Sequence, residues 1–259
     1  MFTSSRQAAR HCTPICKQYF RSVHTVPRLT QKVDAGINGL YSQEQTRMAW
    51  FDYQDYLVKN LTLLTNGTAN ETRSPYQILL NTAKQPVNQH VFHYASQAHN
   101  NHFFFEQLAN KEEAQLTRPS RFIMDRLIRN DIPDISVLKE KMLTLAENSV
   151  GQGWVFLVET PYKSFQIIKC NNDGTPYYYG KNQSLDLNGG VDESAYQYLE
   201  NLKERAAKRE RDYNLPILAI SFWDQSYIKD YGLGGKKEYL ERVWDCIDWN
   251  VINKRFFQV

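Results

Sequence analysis

The segment from Pro216 to Phe256, PILAISFWDQSYIKDYGLGGKKEYLERVWDCIDWNVINKRF, constrains the fold more tightly than any other. It opens on a short apolar run, Pro216-Ile217-Leu218-Ala219-Ile220, with the length and composition of a buried strand. Aromatic residues then crowd the turn and helices that follow: Trp223, Tyr227, Tyr239, Trp244 and Trp249. Two more strand candidates lie upstream, Gly151 to Val158 and Phe165 to Cys170. The C-terminal half therefore reads as a small sheet covered by helices.

The N-terminal half has a different rhythm. Between Ser42 and Leu64 the apolar residues Trp50, Tyr53, Leu57, Leu61 and Leu64 recur at helical spacing, and Ser42 with Gln45 has the spacing of a capping box. A short helix fits Ser74 to Thr82, and a second long one fits Asn88 to Asn110. The two long helices would pair as an antiparallel hairpin. After Pro119 the elements shorten, with helices expected over Ser120 to Asn130 and Ile135 to Asn148.

Met1 to Val33 contains no acidic residue but carries Arg6, Arg10, Lys17, Arg21, Arg28 and Lys32 among scattered Ser and Thr. This is the composition of a mitochondrial transit peptide, and the uninterrupted apolar core of a secretory signal is missing. The alternative is a disordered basic arm. Without those 33 residues the chain has 25 basic against 28 acidic residues, so any nucleic-acid contact must come from a local patch. Only Cys170 and Cys246 lie beyond the leader, and both read as packing thiols. The sequons at Asn60, Asn66, Asn70 and Asn182 are chance matches in the absence of a secretory signal. No apolar run approaches the roughly 18 residues of a membrane span.

Several motifs resemble the iron/manganese superoxide dismutases. Gly151-Gln152-Gly153-Trp154 matches that family's G-S-G-W, Asn171-Asn172-Asp173 its N-Q-D turn, and Ser221 to Tyr227 its D-x-W-E-H-A-Y motif. The tail through Arg255-Phe256 matches as well. The resemblance implies an α+β fold: an N-terminal antiparallel helical hairpin, then a C-terminal α/β domain with a three-stranded antiparallel sheet. It divides the chain into a leader at 1–28, a hairpin domain at 29–118 and a C-terminal domain at 119–259. The latter holds a helical insertion at about 177–215, longer than the family requires.

In that family three His and one Asp hold a redox metal. The resemblance places Ala49, Asn101, Ser221 and Gln225 at those four positions, Tyr53 at a histidine behind them, Leu57 at the gating Tyr, and Phe105 at a Trp. A count of histidines agrees without alignment. His11 and His24 lie in the leader, while His90, His93, His99 and His102 share one helix, so imidazoles cannot be drawn from both halves. A methyl group, two amides and a hydroxyl offer no anionic or imidazole donor for a divalent or trivalent ion. No cofactor is expected. A zinc ion pinched by His90 and His93 or by His99 and His102 would lack further ligands nearby, and Ser221 has no base near it in sequence.

A mitochondrial leader, an intact frame, erased ligands and a charged insertion together resemble the superoxide dismutase-like proteins of the fungal mitochondrial small ribosomal subunit. This implies a non-enzymatic structural protein. Its partners would be small-subunit proteins and rRNA, and it would pair with a related superoxide dismutase-like chain. Lys203, Arg205, Lys208, Arg209 and Arg211 are candidate RNA or protein contacts, although Glu204, Glu210 and Asp212 interleave them as on a solvated face. Asp224 and Gln225, where the family builds its dimer bridge, are candidate dimer contacts. The rival readings are a free-standing matrix interaction protein and a dismutase with unorthodox ligands.

Overall fold

A computed structural model describes residues 23–181, 183, 193–209 and 213–257. The first long helix is broken by a change of pitch: α1 (Gln43–Thr46) runs into a π-helical turn, Arg47–Asp52, before α2 (Tyr53–Thr65) continues. Ser42 caps α1 by accepting from the Gln45 N–H, but the Gln45 side chain does not close the box. It reaches instead across the molecule, donating to the Gln225 carbonyl at 2.7 Å and accepting from the Lys229 N–H at 2.9 Å. The full capping box belongs to Ser74 and Gln77, which open α3 (Pro75–Thr82).

α4 (Gln89–Glu106) lies against α2 with opposite direction: Tyr56 meets Tyr94, Gln54 meets Ala98, and Ala49 meets Asn101. This is the expected hairpin. The short α5 (Lys111–Ala114) leads to α6 (Arg121–Ile128) and α7 (Ile135–Glu147), capped by Ser120 and Asp134.

The sheet has the order β2-β1-β3, with β1 (Gly153–Glu159), β2 (Phe165–Asn171) and β3 (Leu215–Ser221) antiparallel throughout. Every residue of β1 is buried, as the central strand of a sheet covered on both faces must be. Gly153 admits no side chain: an added Cβ would lie 2.2 Å from the Cys170 carbonyl oxygen. Between β2 and β3 comes α8 (Glu193–Ala207), and after β3 come α9 (Ile228–Tyr231), α10 (Lys236–Asp245) and α11 (Trp249–Phe257).

One core joins the two halves. Trp50, Phe104 and Phe105 from the hairpin pack in the same cluster as Trp154, Phe156, Ile220, Tyr239 and Trp244 from the sheet and its helices. Phe105 has its ring centroid 5.1 Å from Trp50 and 6.0 Å from Tyr41. Among the described residues no helix is long and apolar enough to cross a membrane.

Candidate functional site

The π-helical turn sets the geometry around Ala49. The Tyr53 N–H bonds the carbonyls of Met48 and Trp50, passing over that of Ala49. A buried carbonyl skipped by its own helix needs another donor. Asn101 supplies one: its Nδ2 lies 3.3 Å from the Ala49 oxygen and 2.9 Å from Gln54 Oε1. Gln54 in turn donates from Nε2 to the Ala98 carbonyl at 2.9 Å. All three residues are at most 2% exposed. The Asn101 amide on α4 thus ties the two long helices together.

Ser221 ends β3 with no exposed surface, and its Oγ lies 2.7 Å from Ser226 Oγ. The Trp223 N–H also donates to Ser221 Oγ, at 3.4 Å. Tyr239, itself buried, sits above this pair. Burial pushes its phenol well up, while hydrogen bonds with Tyr41, Ser226 and Ser221 act in the opposite direction. The Tyr41 hydroxyl donates to that of Tyr239 at 3.2 Å. Gln225 is half-buried, and its carbonyl takes the Gln45 amide already described.

The fold therefore brings together the segments carrying Ala49, Asn101, Ser221 and Gln225, but the donor set does not fit a manganese or iron ion. Asn101 and Gln225 offer only neutral amide oxygens, Ser221 a neutral hydroxyl, and Ala49 no donor atom in its side chain, so no imidazole or carboxylate is present to hold the ion. Leu57, at the position of the gating Tyr, is 1% exposed. Asn172 is exposed, adopts a left-handed φ of 50°, and contributes its carbonyl to Gln97 Nε2 at 2.7 Å. Among the described residues no group of three or more His, Cys, Asp or Glu side chains could hold a metal ion.

The α4 histidines have other partners. His93 Nδ1 is 3.1 Å from Asp173 Oδ2, and His99 Nε2 is 2.7 Å from the Tyr177 hydroxyl. Desolvation, aided by the charges of His102 and Arg255, lowers His99 to about 3, so its ring is neutral at physiological pH. His102 packs its ring 5.9 Å from Trp50 and is lowered by burial. Around His99 gather Tyr76, Tyr177 and Tyr213, with the hydroxyls of Tyr76 and Tyr213 bonded to each other. Asn214 N–H donates to the Tyr177 carbonyl at 3.3 Å, so the two ends of the insertion are clasped at its base. Sequence reading had no access to this clasp, because its tyrosines are more than 30 residues apart and show no periodicity.

The insertion's cations are less free than their number suggests. Lys203 Nζ lies 2.7 Å from Glu200 Oε1, and Lys208 Nζ lies 3.6 Å from Glu204 Oε2, both pairs one helical turn apart along the chain. Arg205 is half-buried and Arg209 exposed, while Arg211 lies outside the described residues. Tyr196 on the same helix is 58% exposed. Asp224 is also engaged within its own chain, accepting from Gln152 Nε2 at 2.8 Å and from the Tyr227 hydroxyl at 2.9 Å.

A helical hairpin followed by a three-stranded antiparallel sheet covered by helices defines a superoxide dismutase-like α+β fold. Sequence comparison agrees: residues 191–255 match the iron/manganese superoxide dismutases, C-terminal domain. Over 226 residues the chain is 20% identical to superoxide dismutase [Fe] of Legionella pneumophila, covering 87% of this chain and 95% of that protein. Similarity is higher to two proteins of Schizosaccharomyces pombe. Small ribosomal subunit protein mS43 is 32% identical over 241 residues, 92% of this chain and 85% of that protein. Small ribosomal subunit protein mS42 is 26% identical over 230 residues, 88% and 94% of the two chains. The chain belongs to the family of the small ribosomal subunit protein mS43.

Proposed function

We infer that this chain is a non-enzymatic structural component of the mitochondrial small ribosomal subunit, built on a superoxide dismutase-like fold. The observation that carries the reading is the state of the four ligand positions. Ala49, Asn101 and Ser221 are buried and Gln225 is half-buried, and at the positions the resemblance assigns to the metal ligands none of them supplies an imidazole or a carboxylate. With catalysis gone, what the frame retains is shape and surface. The family membership and the basic leader supply the address.

Pairing with a related superoxide dismutase-like chain follows from the same reading, because one sequence matches both mS43 and mS42 over most of its length. Asp224 and Gln225 mark the face for that contact. The insertion is the second contact surface: its two ends are clasped together, Tyr196 and Lys203 are exposed on α8, and Lys208 and Arg209 are exposed just beyond the end of that helix. Because Lys203 and Lys208 are paired to glutamates one turn away, RNA phosphates would have to compete for them.

Gradient sedimentation of a mitochondrial lysate tests the assignment. The protein is expected to travel with the small subunit, whereas a free-standing matrix protein would stay near the top of the gradient. Reversing Lys208, Arg209 and Arg211 to Glu is expected to weaken incorporation, and normal co-sedimentation of that triple variant would remove this basic segment from the contact surface.

A further inference from the structure

The stretch expected to be the end of a removable leader is built into the folded protein. His24 is 6% exposed. Its backbone N–H donates to Thr62 Oγ1 at 3.2 Å, and its ring Nε2 lies 3.0 Å from Thr65 Oγ1, both on the last turn of α2. The two threonine hydroxyls are themselves held in place, donating to the carbonyls of Val58 and Leu61. From there the chain stays attached. Val26 and Leu29 pack against the core, Thr30 bonds Glu106 through both its N–H and its hydroxyl, and Val33 is 5% exposed. Val23, one residue before the anchor, is 46% exposed.

We infer that the targeting leader is removed at a bond between Arg21 and His24, and that the mature protein keeps His24 as an N-terminal anchor. This rests on the mitochondrial reading, since it presumes that the leader is cut at all. Tolerance of a chain end is decided by the burial and hydrogen bonding of the backbone that would be lost. A cut after residue 24 would discard both bonds to α2 and leave two threonine side chains facing an unfilled pocket. A cut at or after residue 28 would also discard the packing of Val26. A cut well before Arg21 would leave leader cations on the mature chain, since Arg6, Arg10, Lys17 and Arg21 all precede the anchor.

The step is hydrolysis of one peptide bond by a matrix processing peptidase. Water adds across the bond, the leader leaves with a new carboxylate, and the mature chain gains an α-ammonium.

The test is the N-terminal peptide of the protein purified from mitochondria, read by mass spectrometry. A first residue of Ser22, Val23 or His24 is expected. A first residue from Thr25 onward, or one before Arg21 other than the initiator end, would overturn the anchor while leaving the leader reading intact. A chain beginning at Met1 or Phe2 would overturn the leader reading itself. An independent check uses His24→Ala in the full-length precursor: the mature variant is expected to melt about 2–4 °C lower, the effect of roughly one lost hydrogen bond in a chain of this size. An unchanged melting temperature would mean that the mature protein does not use His24.

Discussion

Replacing Asn101 by Leu isolates the buried amide bridge between the two long helices. Leucine matches asparagine in shape, so little packing is lost, but both Nδ2 bonds disappear, to Gln54 Oε1 at 2.9 Å and to the Ala49 carbonyl at 3.3 Å. Each bond is worth about 1 kcal/mol net, and a buried acceptor left without a donor costs a further ~1–3 kcal/mol. The Ala49 carbonyl is the more exposed to this penalty, since the π-helical turn withholds the Tyr53 N–H from it. The single variant is thus expected to lose about 2–4 kcal/mol, or roughly 5–15 °C in melting temperature for a chain of this size. Replacing Gln54 as well, by Met, removes one of the two orphaned acceptors. The double variant is then expected to be less destabilised than the sum of the singles, with a coupling of about 1–3 kcal/mol. Urea unfolding of the four proteins in the cycle gives the coupling directly. A neutral Asn101→Leu variant, or strict additivity in the cycle, would refute the idea that the cradle has become a structural bridge.

Further outcomes follow from the same structure. His99 is held near 3 when folded but titrates near 6.5 when unfolded, so the unfolded chain binds the extra proton. Stability should therefore fall as pH drops from 6.5 towards 3, by up to about 1.4 kcal/mol per pH unit. His99→Gln should give a visibly shallower melting-temperature profile over that range, and an unchanged slope would count against His99 as the sensor. Arg255 stacks its guanidinium 3.5 Å from the Phe103 ring centroid and donates to Gln107 Oε1 at 3.0 Å, the Ile217 carbonyl at 3.2 Å and the Phe103 carbonyl at 2.6 Å. Lysine keeps the charge but not the plane or the fork, so Arg255→Lys should cost about 2 kcal/mol or more in urea unfolding, and a silent substitution would contradict that account. Elemental analysis of the purified protein should find far less than one manganese or iron per chain. Re-introducing the ligands as Ala49→His, Asn101→His, Ser221→Asp and Gln225→His should not restore uptake, because the first three positions are at most 2% exposed and already packed. Stoichiometric metal in the natural protein would reverse the non-enzymatic assignment, and in the four-fold variant it would refute the argument that packing closes the site.

Much of the frame was legible because it rests on local chemistry. β3 is a run of apolar residues, α3 opens on Ser74-Pro75 with Gln77 behind, and α7 opens on Asp134, so strand and helix starts could be read from the sequence. The loss of ligands was legible too, since six histidines with four on one helix cannot supply a site shared between two halves. The helix over Ser42 to Leu64 was placed correctly, but its π-helical turn was not foreseen, because six residues of altered pitch are too few to shift the helical periodicity of the whole segment.

The sequence by itself determined which donors the chain can offer: its histidines beyond residue 24 all lie on one helix, so imidazoles cannot come from both halves. What fills the vacated role was decided only by the tertiary structure. Gln54, Tyr213 and His24 carry no mark in the sequence, because their partners Asn101, Tyr76 and Thr65 lie 47, 137 and 41 residues away. A hydrogen bond depends on distance and direction in space, and only the folded chain sets those for residues so far apart in sequence.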